Sequence, residues 1–252
     1  NVGALTVQDG DTDLAADAKF AGDVTVEQDT LTNTSTFTLT ANNITGAGTG
    51  IITNEGTLNL EGANSSGDID NNGTLTFGQE LTNTGNINLS ATPGDMTIDI
   101  SALDAGQKAI TGGTVSASNP ADVVVNPLLD TGNTVTLTDA GTFASTLTAA
   151  DNALLKVDVV DNAGSTDVNV TGTKNAAETA AALGVSTANG SKLNKAGFAA
   201  AETGNPLASG GSFSQVGQDV ADALTGTSAE AKAEAERLGD ATATAGAASQ
   251  AG

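Results

Sequence analysis

Residues 69–89 read IDNNGTLTFGQELTNTGNINL, and a nine-residue phrase occurs in this stretch twice. The copies IDNNGTLTF and LTNTGNINL place an apolar residue, Asn, Gly and two more apolar residues at the same alternating positions. Alternation of polar and apolar residues is the period of a strand with one buried face. A Gly that follows an Asn by two residues permits a tight turn of the backbone. Each copy therefore predicts a strand, a sharp corner and a second strand.

Two related phrases lie upstream, LTNTSTFTL at 31–39 and ITNEGTLNL at 52–60. Self-similarity of this kind indicates a solenoid, and the uneven spacing suits turns of different lengths. Equivalent Asn side chains in stacked coils can form a ladder of amide hydrogen bonds. We therefore predict that the phrase makes the same corner in successive coils of a parallel β-helix. The residues of this corner repeat are Asn33, Asn54, Asn71, Asn83, Gly56, Gly73 and Gly85.

The fold class that follows is mainly β, a parallel β-helix over residues 1–172 with about eight coils. An Ala/Gly-rich helical segment and tail follows over residues 173–252, because Ala favours helix. A β-sandwich with Asn-Gly hairpins is the alternative, although the chain lacks the aromatic core usual in sandwiches. The predicted helices are KNAAETAAALGV, which ends near Gly184, KLNKAGFAAAETG, SQVGQDVADALTG and SAEAKAEAERLGD.

The composition limits the partners of the chain. It carries 30 acidic and 8 basic residues, a net charge of −22, so it cannot neutralise the phosphates of nucleic acid. No apolar run approaches the roughly 20 residues that span a bilayer. With six Phe and no Trp, Tyr, Cys or His, the core must consist of small aliphatic side chains. Because the sequence starts at Asn1 rather than Met, we expect a processed or excised fragment, from which a signal sequence can have been removed.

Few residues suggest chemistry. Asp9, Asp11 and Asp13 alternate, and oxygen ligands at such spacing can bind a hard cation such as Ca²⁺. They lack the Gly and the distant Glu of an EF-hand loop, so a solvated acidic turn is the alternative. Asp68 and Asp70 form a second candidate pair. Without His, Cys or a phosphate-binding loop, and with Arg237 as the sole Arg, we expect no enzyme.

The sequence resembles the passenger region of bacterial autotransporters, which are secreted surface proteins of the type V class. The residues that carry the resemblance are the corner phrases, LLKVDVVDNAGSTDVNVTGTKNAAETAAALGVS and DVADALTGTSAEAKAEAERLGD. In that family the last passenger strands precede an Ala-rich helical linker. The resemblance covers the passenger and the linker but not the family's membrane barrel. It implies secretion across the outer membrane of a Gram-negative bacterium, to the cell surface or beyond it.

A β-helix ends in rows of unpaired backbone groups that invite another strand unless they are covered. Here strand-like residues begin at Ala4, with only a polar segment near them. We therefore expect a surface or secreted structural protein that forms homo-oligomers or filaments by end-to-end stacking, aided by docking of the helical segment. The alternative is a surface adhesin or glycan-binding module. The lack of Trp and Tyr disfavours stacking against sugars in that alternative.

Overall fold

A computed structural model describes residues 3–46, 49–126, 129, 131–150 and 154–183. In it the alternating phrases form short strands, with three strands in each coil. Six coils contribute three strands each. In chain order these are β1 (Leu5–Val7), β2 (Thr12–Leu14), β3 (Ala18–Lys19), β4 (Val24–Val26), β5 (Thr30–Asn33), β6 (Thr38–Ala41), β7 (Ile44–Gly46), β8 (Ile51–Asn54), β9 (Thr57–Leu60), β10 (Asn64–Ser65), β11 (Asp68–Asn71), β12 (Thr74–Phe77), β13 (Leu81–Asn83), β14 (Asn86–Asn88), β15 (Thr97–Asp99), β16 (Lys108–Thr111), β17 (Thr114–Ser116) and β18 (Ala121–Val124).

The remaining described elements follow the sixth coil. They are β19 (Thr134–Thr138), β20 (Leu147–Ala149), β21 (Leu155–Asn162), β22 (Ser165–Thr173) and the helix α1 (Ala176–Leu183). Strands at the same place in successive coils pair in parallel and build three sheets. The first sheet has the order β1-β4-β7-β10-β13-β16-β19-β22-β21, the second β17-β14-β11-β8-β5-β2, and the third β20-β18-β15-β12-β9-β6-β3.

This arrangement is a parallel β-solenoid, in which five complete turns separate β2 from β17. The predicted fold class is thereby confirmed, and the alternative β-sandwich is wrong because the coil strands pair in parallel. Parallel strands require a connection that crosses over, which a coil supplies and a hairpin cannot.

The core consists of stacked aliphatic side chains. On the third sheet Leu39, Leu58, Leu75 and Ile98 stand in register, and all four are fully buried. On the second sheet the inward column is Leu31, Ile52, Ile69 and Ile87, at most 1 % exposed. Because the sheets face one another across a narrow interior, branched aliphatic side chains fill it without large aromatic groups.

The predicted number of eight coils was wrong. After β20 the chain leaves the coil pattern, and β22 pairs with β19 in the antiparallel sense, with Val168 opposite Val135. Gly164, with φ of +94°, lies in the short turn between β21 and β22. This turn lets two long alternating strands fold back on themselves. Alternation alone does not separate a coil strand from a hairpin strand, which explains the error.

The chain divides into two compact units. The first contains Asn1–Asn126, Asn133–Ala150 and Asp158–Asn169 and includes the six coils. The second contains Pro127–Gly132, Asp151–Val157 and Val170–Gly252, of which the structure describes residues 129, 131–132, 154–157 and 170–183.

The helix α1 lies in the second unit, at the first of the predicted helical segments. The Asn175 carboxamide oxygen accepts hydrogen bonds from the backbone N–H groups of Ala177 and Glu178 at 3.0 and 3.1 Å. Glu178 in turn accepts from the Asn175 N–H at 2.8 Å, which completes a reciprocal cap. The predicted end at Gly184 and the other predicted helices of residues 173–252 lie outside the described residues.

Candidate functional site

Three of the four predicted corner asparagines form a buried column. Asn33, Asn54 and Asn71 end β5, β8 and β11, stand in register, and are each fully buried. The Asn33 Nδ2 donates to Asn54 Oδ1 at 2.8 Å, and the Asn54 Nδ2 donates to Asn71 Oδ1 at 2.7 Å. We call this column the asparagine ladder. It uses neutral amides, so it holds the corner without burying charge.

The ladder also binds the backbone of the neighbouring coil. Each amide nitrogen donates a second bond to a carbonyl, to Thr57 for Asn33, to Thr74 for Asn54 and to Leu89 for Asn71, at 2.8–2.9 Å. In the preceding coil the register partner of Asn33 is Leu14 of β2, and among the described residues the Asn33 Oδ1 has no hydrogen-bond partner. The ladder is therefore complete only from Asn33 to Asn71.

The predicted glycines permit close approach between coils. A Cβ on Gly56 would lie 2.3 Å from the Phe37 carbonyl oxygen, and one on Gly73 would lie 2.3 Å from the Gly56 carbonyl oxygen. A Cβ on Gly85 would lie 2.5 Å from the Gly67 carbonyl oxygen. These contacts are with backbone, which cannot rotate away, so these three corners require Gly for lack of space.

Asn83 does not join the ladder. It ends β13 in the first sheet, where its register partner is Ser65 of β10. Its local bonds still resemble those of Asn71, since its Oδ1 accepts from the Gly85 N–H at 3.1 Å and its Nδ2 donates to the Gly85 carbonyl at 3.0 Å. The prediction that all four phrases make the same corner was therefore wrong for this residue.

The three alternating carboxylates at the first coil are not gathered into a cluster. Asp11 accepts a hydrogen bond from the Thr30 N–H at 3.1 Å, and Asp13 lies exposed in β2. Within the described ranges no group of three or more His, Cys, Asp or Glu has the arrangement to hold a metal ion. Calcium binding by Asp9, Asp11 and Asp13 stays a prediction, for which calcium titration is the measurement.

Asp68 and Asp70 point outward from β11 on the second sheet. Asp68 accepts three hydrogen bonds from the backbone and side chain of Asn86, at 2.8–2.9 Å. Burial, with a smaller contribution from the Asp68 charge, raises the pKa of Asp70 above its usual range. Cation binding by Asp68 and Asp70 stays a prediction, for which the same calcium titration is the measurement.

The outward faces of the sheets carry polar columns that the sequence reasoning did not single out. On the third sheet Thr38, Thr57, Thr74 and Thr97 stand in register on β6, β9, β12 and β15. Each is half-buried, and each precedes a buried aliphatic residue of the core. The Thr-Leu-Thr and Thr-Leu-Asn alternation was visible in the sequence, but only the register shows which threonines are neighbours.

The fold and the ladder define the class of protein, a parallel β-solenoid with a buried asparagine corner. No family model, no curated protein and no solved structure matches the chain. Among the described residues, no helix has the length and apolar character needed to cross a bilayer.

Proposed function

We propose that this chain is a structural, non-catalytic subunit at the surface of a Gram-negative bacterium or released from it, and that it self-associates end to end through its first coil. The observation that carries the proposal is the state of that coil. Its strands β1, β2 and β3 are the terminal strands of all three sheets. Within the described residues, none of the three has a partner strand on its outer side.

The inward-facing residues of the first coil are less covered than their register partners. Leu5 pairs with Val24 and Ala18 pairs with Leu39; both first-coil residues are half-buried, whereas both partners are fully buried. Leu14 is half-buried as well. A further layer on this end would cover the remaining apolar surface and pair the free backbone groups, which favours association.

The opposite end offers matching edges on two sheets. Among the described strands, the second sheet ends at β17 and the third at β20, whereas the first sheet ends in the hairpin of β21 and β22. A head-to-tail contact would place β2 of one molecule against β17 of the next, and β3 against β20. Such a heterologous contact does not close on itself and produces a filament.

Charge opposes this contact and makes it dependent on salt. The first coil carries Asp9, Asp11, Asp13 and Asp17, with Lys19 as the sole basic residue among them. Acidic groups on an edge strand discourage pairing with another edge. Raising the salt concentration from about 0.01 M to about 0.15 M shortens the screening length from about 30 Å to about 8 Å. We therefore expect association to increase with salt.

Sedimentation velocity and negative-stain electron microscopy of the full chain, over a series of protein and salt concentrations, test the proposal. Leu14→Lys places a charge on the first-coil end and is expected to abolish association. Thr53→Lys, on the outward face of a middle coil, is the matched control and is expected to associate as the wild type does. Single particles under every condition, or normal assembly of Leu14→Lys, contradict the proposal.

The resemblance to autotransporter passengers supports the surface location. Docking of the helical segment of residues 173–252 onto a neighbouring molecule stays a prediction, and residues 184–252 of that segment lie outside the described residues. Extracellular location is tested by fractionation of the producing cells, and recovery of the chain only from the cytoplasm would refute it.

A surface-binding module is the second candidate function. The outward polar columns favour it, because regular hydroxyl and amide groups on a flat sheet can contact a cell-surface polymer. It predicts binding to cells or glycans by single, unassembled particles. The sedimentation experiments and a cell-binding assay on the same preparation separate the two functions.

A further inference from the structure

The third sheet carries a two-column array of small polar side chains, six of which are threonines. We call it the threonine face and define it by eight residues. One column contains Thr38, Thr57, Thr74 and Thr97, and the second contains Thr40, Asn59, Thr76 and Asp99, with each row on one strand. The first column is half-buried throughout, whereas Thr40 in the second is buried and its hydroxyl accepts a hydrogen bond from Asn59 at 3.3 Å.

The spacing of this array follows from the strand geometry. Rows are about 4.7–4.9 Å apart because they lie on neighbouring strands, and the two columns are about 6.6–6.8 Å apart because they are two residues apart along a strand. In tetrahedral ice, oxygens joined by O–H···O bonds of about 2.7–2.8 Å have second neighbours at about 4.4–4.6 Å. The row repeat therefore lies close to the oxygen repeat of ice.

The array is held rigidly. Beneath it Leu39, Leu58, Leu75 and Ile98 are fully buried and close-packed. Threonine is branched at Cβ and has restricted rotation about χ1. Little side-chain entropy is lost when such residues bind a fixed lattice, so the face is organised before it meets its partner.

The charge of the face suits a neutral partner. The chain has a net charge of −22, yet Asp99 is the one ionisable group among the eight residues. Lys19 stands next to Thr40 and Asp122 next to Thr97, so charged side chains border the face on the adjacent strands. The second sheet differs, because its outward positions include Asp13, Asp68 and Asp70. A surface of hydroxyl and methyl groups that holds one carboxylate, within a strongly acidic protein, suits a neutral lattice better than a polycation.

We propose that the threonine face binds ice, through water molecules ordered on its two columns. A neutral crystalline polysaccharide is the competing partner. The chain has no Trp or Tyr to stack against sugar rings. The proposal is independent of end-to-end assembly, since it uses the side of the coils rather than their ends.

The test measures the thermal hysteresis of the full chain and its inhibition of ice recrystallisation. The double variant Thr57→Tyr/Thr74→Tyr places two large rings in the middle of the first column. The matched control is Thr32→Tyr/Thr53→Tyr, which alters two adjacent, half-buried outward residues of the second sheet in the same way. Tyr is favourable in strands, and circular dichroism and the Tm confirm that both variants fold.

The wild type and the control are expected to shape ice and inhibit recrystallisation, whereas the face variant is expected to lose both effects. Absence of ice activity in the wild type overturns the proposal, as does equal loss in both variants. Binding to insoluble cellulose that only Thr57→Tyr/Thr74→Tyr removes, without ice activity, also overturns it and assigns the face to a polysaccharide.

Discussion

The corners at Asn71 and Asn83 come from the same sequence phrase but have different neighbours. Both side chains hydrogen-bond the Gly two residues further on, in both directions and at 3.0–3.3 Å. Asn71 also accepts from Asn54 and completes the ladder, whereas Asn83 stands in another sheet beside Ser65. A phrase of this kind therefore specifies a local turn, but it does not specify which corners of neighbouring coils stack on that turn.

The length of the coil explains the difference. Asn33, Asn54 and Asn71 are separated by 21 and 17 residues, which is about one coil, so they fall on the same corner. Asn83 follows Asn71 after 12 residues, which are too few to complete a coil. It therefore lies at the corner after the first sheet, one corner short of the position that would stack on Asn71. The buried Leu89, which directly follows β14, takes the place next to Asn71.

The largest expected effect comes from breaking the ladder at its centre. Asn54→Ala removes both amide bonds of the column and leaves the buried Asn71 Oδ1 with fewer donors. We expect a loss of about 2–4 kcal/mol in the free energy of unfolding, against about 1–2 kcal/mol for Asn83→Ala, which loses only local bonds. Urea unfolding of both variants measures the difference. Equal losses would show that the ladder adds nothing beyond the local corner.

The corner glycines test whether close approach of coils limits the stack. Gly73→Ala forces its Cβ against the Gly56 carbonyl, and we expect a loss of about 1–3 kcal/mol. A Cβ on Gly94 would have no atom of the described residues within 4 Å, and Gly94→Ala is expected to stay within about 0.5 kcal/mol of the wild type. The Tm of each variant is the measurement, and a neutral Gly73→Ala would refute the steric account.

Two carboxylates are expected to change the pH dependence in opposite directions. Because the pKa of Asp70 is raised in the folded state, its ionisation costs stability, which falls as the pH rises from the ordinary value of 3.8 through the folded pKa. Asp70→Asn should remove this fall and raise the stability at pH 7. The change should be less than about 1 kcal/mol, because the group is partly exposed.

Asp139, which follows β19 beyond the tight coils, behaves in the opposite way. The Gly112 N–H bond, together with Lys108, lowers the pKa of its carboxyl. Its contribution to stability is present above 3.8 and is lost as the pH falls through the lowered folded pKa. Asp139→Asn should therefore lower the stability at pH 7 by less than about 1 kcal/mol. Unfolding curves across the acid range check both signs, and parallel pH profiles of the two variants would contradict them.

The smallest effect is expected from the surface ion pair that joins the first and third coils. Lys19 Nζ lies 2.5 Å from Glu61 Oε1, and both side chains are 48 % exposed. Lys19→Ala should change the free energy of unfolding by about 0–0.5 kcal/mol, and by less at high salt. A change as large as that of Asn54→Ala would mean that the surface, rather than the buried corner, holds these coils together.

The amino-acid sequence determined the periodic content of the fold. Alternation and the small aliphatic composition predicted parallel coils with a narrow core, and the phrases predicted corners at Asn33, Asn54 and Asn71. The same alternation also occurs in β21 and β22, which form a hairpin. The alternation of polar and apolar residues indicates which face of a strand is buried, but not which strand pairs with it. The hairpin strands were therefore counted as coils, and the predicted number of coils was too high.

The threonine face shows the same limit. Thr38, Thr57, Thr74 and Thr97 are separated by 19, 17 and 23 residues, so no fixed period marks them as a set. Their adjacency depends on how many residues each corner and loop absorbs, for example the residues between β14 and β15.

The sequence by itself determined that short half-buried strands would alternate with tight corners, because these properties depend on residues a few positions apart. The tertiary structure alone decided which corners stack, where parallel pairing ends and which hydroxyls form a surface. Those outcomes depend on the length of each whole coil, since strand register is fixed only when a coil closes upon the one before it.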